Sequence, residues 1–100
     1  MTTTDSMRPD VLREEILKNL KTNVIEVCFR KVTDGNERNL VCTHMFGYIP
    51  ETPGVNPQIH LDQEHAKPEN QDRIVAWDVE NSAWRSFYVR EVRYVQQKDN

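Results

Sequence analysis

Leu12, Ile16 and Leu20 recur at four-residue spacing with Leu17 beside them, while Arg13, Glu14 and Lys18 take other faces. This spacing predicts an amphipathic helix over residues 8–21. Pro9 suits its first turn, and Asp10, Glu14 and Glu15 early with Lys18 and Lys21 late complement the helix dipole. Four apolar side chains make no core by themselves, so the helix must lie on a larger surface or serve as a handle for a partner. Residues 1–7 ahead of it are expected to be flexible.

The period changes to two after the helix, where Ile25, Val27 and Phe29 alternate with Glu26, Cys28 and Arg30. That is a half-buried strand. Asp34-Gly35 signals a hairpin into a second run, Arg38 to Thr43. A two-residue turn opposes Phe29 with Leu40 and Val27 with Cys42, and a shift by two keeps the same faces together. Over residues 44–72 the pattern dissolves into a long loop with Pro50, Pro53, Pro57 and Pro68. From residue 50 it is acidic, with Glu51, Asp62, Glu64, Glu69 and Asp72 against Lys67 alone. Residues 73–90 read as a second hairpin around Asn81-Ser82-Ala83, with Trp77 opposite Phe87 and Val75 opposite Val89. Trp84, Ser86, Tyr88 and Arg90 then share the other face. Val92, Tyr94 and Val95 supply a last short strand before a flexible polar tail, residues 96–100. The expected fold is mainly β with one N-terminal helix: a single domain over residues 8–95 whose five short strands, residues 23–95, form a small, strongly bent antiparallel barrel with a long acidic loop.

Composition narrows the functions. A chain of 100 residues holds one domain, and 13 basic against 16 acidic side chains leave a charge of -3, which argues against non-specific coating of duplex DNA. No apolar run approaches a membrane span, and the start Met1 to Asp5 lacks signal-peptide features, so a cytoplasmic protein without membrane contact is expected. Cys28 and Cys42 fall on opposite faces of the first hairpin and should stay free thiols. His60 and His65, with Asp62 and Glu64 between them, match no metal-ligand spacing. Gly35, Gly47 and Gly54 form no phosphate loop, and His44 near Cys42 lacks an orienting third group. A non-enzymatic protein with no cofactor and no metal is expected.

The run Ile74-Val75-Ala76-Trp77-Asp78 followed by Trp84-Arg85-Ser86-Phe87 resembles the C-terminal half of WYL domains of bacterial transcriptional regulators. It is especially similar to short phage-encoded WYL-like proteins with an Sm-like, SH3-like small barrel. With the first hairpin, the likeness covers about residues 23–95. The resemblance implies that barrel fold, a phage origin with a place in the host cytoplasm, and a nucleotide-like or nucleic-acid ligand met by the strand carrying Trp84, Arg85, Ser86 and Phe87. The family's tryptophan-tyrosine-leucine tripeptide is absent, Tyr88 stands where arginine is common, and Arg90 and Glu91 replace aspartate and arginine.

The candidate site is therefore Trp84, Ser86, Tyr88 and Arg90, with Arg85 near the strand start and Arg93 beyond its end. Aromatic rings beside guanidiniums stack bases and neutralise phosphates. Two alternatives stay open: Trp84 and Tyr88 packing under the helix, and Arg85 pairing with Asp78 or Glu80 across the hairpin. The expected function is a phage accessory or regulatory protein whose barrel binds single-stranded nucleic acid or a nucleotide. The alternative is a protein-binding module that modulates host machinery through its helix, barrel edge or acidic loop. Homo-oligomers through edge strands fit either.

Overall fold

A computed structural model describes residues 2–3, 8–51, 53–54 and 56–98. Helix α1, Pro9–Thr22, starts on a proline, whose missing N–H has no helical partner at that position anyway. After the two-residue strand β1, Thr2–Thr3, and α1 come β2, Val24–Arg30, and β3, Glu37–Thr43. Helix α2, Pro57–Ala66, follows, then β4, Arg73–Asp78, β5, Ala83–Tyr88, and β6, Val92–Lys98. One antiparallel sheet runs in the order β1-β6-β2-β3-β4-β5. It curls far enough for Phe29 of β2 to stack on Phe87 of β5, with ring centroids 5.4 Å apart. It does not close: among the described residues β5 pairs with β4 alone. Leu12, Ile16 and Leu20 of α1 fill the concave side against Ile25, Val27, Leu40, Ile74 and Phe87. The helix is thus part of the core.

The first hairpin takes the register two residues from the Phe29–Leu40 pairing, with Val27 opposite Leu40 and Ile25 opposite Cys42. Its loop is longer than Asp34-Gly35. The Lys31 N–H donates to Asn36 O and the Gly35 N–H to Lys31 O, both at 2.8 Å, and Gly35 takes a φ of 76° that suits glycine. Face parity is unchanged because the shift is even.

The second hairpin differs from expectation by an odd number of residues, so its faces exchange. Ile74 opposes Phe87, Val75 opposes Ser86 and Trp77 opposes Trp84, in place of Trp77–Phe87 and Val75–Val89. The cause is Asp78, buried at 1% exposure. Its Oδ1 accepts the N–H groups of Glu80 and Asn81, each at 3.0 Å, and its Oδ2 accepts the Asn81 side-chain amide at 2.9 Å. These bonds close the turn over residues 79–82. Burial opposes ionisation of Asp78, but the bonds from Asn81 and Glu80 and the charge of Arg85 outweigh it and hold the carboxyl below its ordinary range. Asp78→Ala leaves those donors without their acceptor and should lower stability by about 1–3 kcal/mol, read from the urea midpoint.

The acidic loop also holds more structure than its sequence predicts. Pro57 opens α2, and Asn56 Oδ1 accepts from the N–H of Gln58 at 3.0 Å and Ile59 at 3.4 Å, which satisfies the first helical donors. The helix is not periodic in apolar residues: Leu61 and His65 are its buried side chains, and Ile59 is exposed. Arg13 of α1 donates to His65 O at 2.9 Å and Asn70 O at 3.3 Å, tying the end of α2 to α1. Instead of a polar tail from residue 96, β6 continues to Lys98, with Gln96 donating to Glu26 and Gln97 to Asn23, each at 2.7 Å. Of the flexible start expected over residues 1–7, Thr2 and Thr3 pair with Val95 and Tyr94; residues 1 and 4–7, like 99–100 of the tail, lie outside the described residues.

Candidate nucleic-acid interface

The observed register decides which side chains meet on the outer face of β4 and β5. Opposed residues of an antiparallel pair share a face, so Arg73 sits with Tyr88, Val75 with Ser86 and Trp77 with Trp84. Trp84 and Tyr88 are 44% and 37% exposed and do not lie under α1, whose stripe is spent on the concave side. Between them Arg73 Nη2 donates to Ser86 Oγ at 2.9 Å. Beyond Tyr88 the chain enters a short 3-10 turn, Val89–Glu91, which brings the Arg90 guanidinium to 4.6 Å from the Tyr88 ring centroid. Arg90 Nη1 also donates to Asp72 Oδ2 at 2.6 Å, which holds the guanidinium in place.

Trp84, Ser86, Tyr88 and Arg90 thus come together as expected, and Arg73 joins them. Arg73 went unrecognised because the expected register put a different residue beside Tyr88. Arg85 belongs to the opposite face, where its Nε lies 3.6 Å from Asp78 Oδ2, the cross-hairpin pairing considered above. Arg93, on β6, lies 3.9 Å from Glu37 of β3 and does not extend the row.

A second basic feature lies where the sheet fails to close. Arg30, Lys31, Arg38 and Arg85, with Phe29 and Phe87, line a groove of about 180 Å³ between the first hairpin and the β5 edge. Arg30 is held by a two-pronged bond to Glu91 at 3.0 and 3.2 Å, and Lys31 by Asp34 at 3.4 Å. Arg38 has no ion pair among the described residues.

A family model described as WYL_2, with an Sm-like SH3 beta-barrel fold, matches residues 13–92. The chain belongs to the WYL_2 family. No curated protein and no solved structure matches it.

In this WYL_2 fold two histidines bind the free edge of β4, His44 from the end of β3 and His65 from α2. The β3–β4 ladder ends at Thr43–Trp77, which leaves the edge groups of Val75 without a strand partner on that side. His44 Nε2–H donates to Val75 O at 2.6 Å, and the Val75 N–H donates to His65 Nε2 at 3.0 Å. The partners dictate the tautomers: His44 carries its proton on Nε2, and His65 must leave Nε2 bare. Burial pushes His44 down to about 4, and burial together with the Arg13 charge lowers His65. With its ring bound to β4, His65 is occupied as a structural strut. Among the described residues no three His, Cys, Asp or Glu side chains cluster to hold a metal.

The thiols of Cys28 and Cys42 are free and buried. Burial, then the Asp78 charge, pushes Cys42 up to about 12, so it stays protonated at neutral pH. No helix among the described residues is long and apolar enough to cross a membrane.

Proposed function

We propose that this WYL_2 protein is a non-enzymatic accessory or regulatory protein, of the phage setting its sequence resemblance implies, whose barrel binds single-stranded nucleic acid or a nucleotide. The observation that carries this reading is the outer row of exposed rings, Trp84 and Tyr88, interleaved with Arg73, Ser86 and Arg90. Rings offer every base a stacking surface, and guanidiniums beside them answer the phosphates between bases. The overall charge of -3 confines binding to this local face and disfavours duplex coating.

Titration of labelled single-stranded DNA, RNA and duplex DNA at low and physiological salt tests the reading. Saturable single-strand binding that weakens as salt rises is expected, with Tyr88→Ala and Arg73→Ala each reducing affinity about tenfold while the far-ultraviolet spectrum is unchanged. No binding of any strand at low salt would sink its single-strand part, and no binding of nucleoside monophosphates either would sink it whole. A second reading is supported by the seam groove: an acidic protein segment would find Arg30, Lys31, Arg38 and Arg85 along an unpaired strand edge. Tyr88 borders both surfaces, so Trp84, which lies outside the groove, separates them: that partner would survive Trp84→Ala and be lost on Arg38→Glu.

A further inference from the structure

The Trp84 end of the row opens into a cavity of about 420 Å³ roofed by Pro57, His60, Leu61 and Glu64 of α2 and walled by Trp77 and Trp84. We infer that this cavity is a slot for one nucleobase, placed so that the phosphate attached to that base meets Arg73 and Ser86. The inference rests on the nucleic-acid reading above and specifies where one base is held.

Three observations support it. The rings of Trp77 and Trp84 meet edge to face, with centroids 5.3 Å apart at 78°, so Trp77 leaves much of Trp84 uncovered at 44% exposure. The volume is that of a small-ligand pocket, mostly apolar, with His60 and Glu64 as its polar groups. Among the described residues each Glu64 oxygen has one partner, Oε1 accepting from Asn70 at 3.1 Å and Oε2 lying 3.1 Å from Lys67, and a carboxylate oxygen has lone pairs for a further donor such as a base amino group.

Charge selects the occupant. Lys67 is bound to Glu64, and the Arg73 charge also acts on that carboxylate, so an ammonium or guanidinium entering the slot would meet two resident cations. A flat ring carrying its own anion outside the slot fits better. Ser86 stands two residues along β5 from Trp84, roughly 7 Å, and the Arg73 guanidinium reaches from the far end of β4 to bond its hydroxyl, so both lie within reach of a phosphate joined through its sugar to the slotted base.

The test combines two probes with the full chain. In the first, an oligonucleotide carrying a single abasic position is scanned along its length. One position should cost about tenfold in affinity, and Trp84→Ala should abolish that position's penalty. In the second, nucleoside monophosphates should quench tryptophan emission of the wild type, with Glu64→Gln changing which base binds best while the aromatic walls stay in place.

Strand binding with an equal penalty at every abasic position, unaltered by Trp84→Ala, would overturn the slot and leave the outer face standing. Quenching by monophosphates without any strand binding would support the slot and sink the single-strand reading. Absence of both, or a slot that binds apolar peptide and no nucleotide, overturns the inference.

Discussion

Leu20→Ala is expected to lower stability by about 2–5 kcal/mol, the range for emptying a large aliphatic site that cannot collapse. Leu20 is 0% exposed, in contact with the barrel core. Its own carbonyl accepts the His44 N–H at 2.9 Å and the Thr43 hydroxyl at 3.3 Å, so the end of α1 is bolted to the end of β3 and cannot slide in to fill the gap. Val11 on the same helix is 49% exposed, and Val11→Ala should change stability by less than about 0.5 kcal/mol. Urea denaturation of the two variants separates a helix that completes the core from one that waits for a partner. Equal, small effects would mean that α1 is a detachable handle.

Acidification should loosen the same molecule from the α2 side. His44 is about 4 when folded and 6.5 when free, so between these values the unfolded chain binds the proton that the folded chain refuses. Its contribution is complete above pH 6.5 and is lost as pH falls towards 4, amounting to about 3 kcal/mol. His65, also lowered, shifts stability in the same direction. Against burial, the Val75 carbonyl favours protonation of His44; of the titratable groups facing it, His65 and Lys21 disfavour protonation and Asp62 favours it. Protonated His65 would turn an N–H towards the Val75 N–H, so α2 should release first and uncover Trp77. Urea midpoints measured from pH 7 to pH 4 should fall, and His44→Gln, which retains a donor for Val75 O, should flatten the decline. A midpoint independent of pH over that range would overturn the strut assigned to these histidines.

Much of the architecture was legible from local pattern. The four-residue spacing of Leu12, Ile16 and Leu20 specifies a helix with one buried stripe whatever it packs on, and the alternation of Ile25, Val27 and Phe29 specifies a strand with one buried face. Period two also puts Trp84, Ser86 and Tyr88 on a common face without any knowledge of their partners. The motif through Trp84, Arg85, Ser86 and Phe87 was enough to anticipate the family.

What the pattern left open was which strand residue stands opposite which, and what covers the outer face. The β4–β5 register turned on the hydrogen bonds of Asp78, whose acceptor role appears only once the turn has formed; by setting it, they placed Arg73 beside Tyr88 and Trp77 against Trp84. Helix α2 lacks an apolar stripe because part of its anchoring is polar: His65 bonds the edge of β4, and Arg13 reaches across to the His65 carbonyl near its end. Local sequence determined the elements and the face each side chain takes, since those depend on backbone period. The tertiary structure alone decided what joins the rings in the candidate site, because the Arg73 cation beside them and the roof over their end require contacts between residues far apart in the chain, and no local period encodes those contacts.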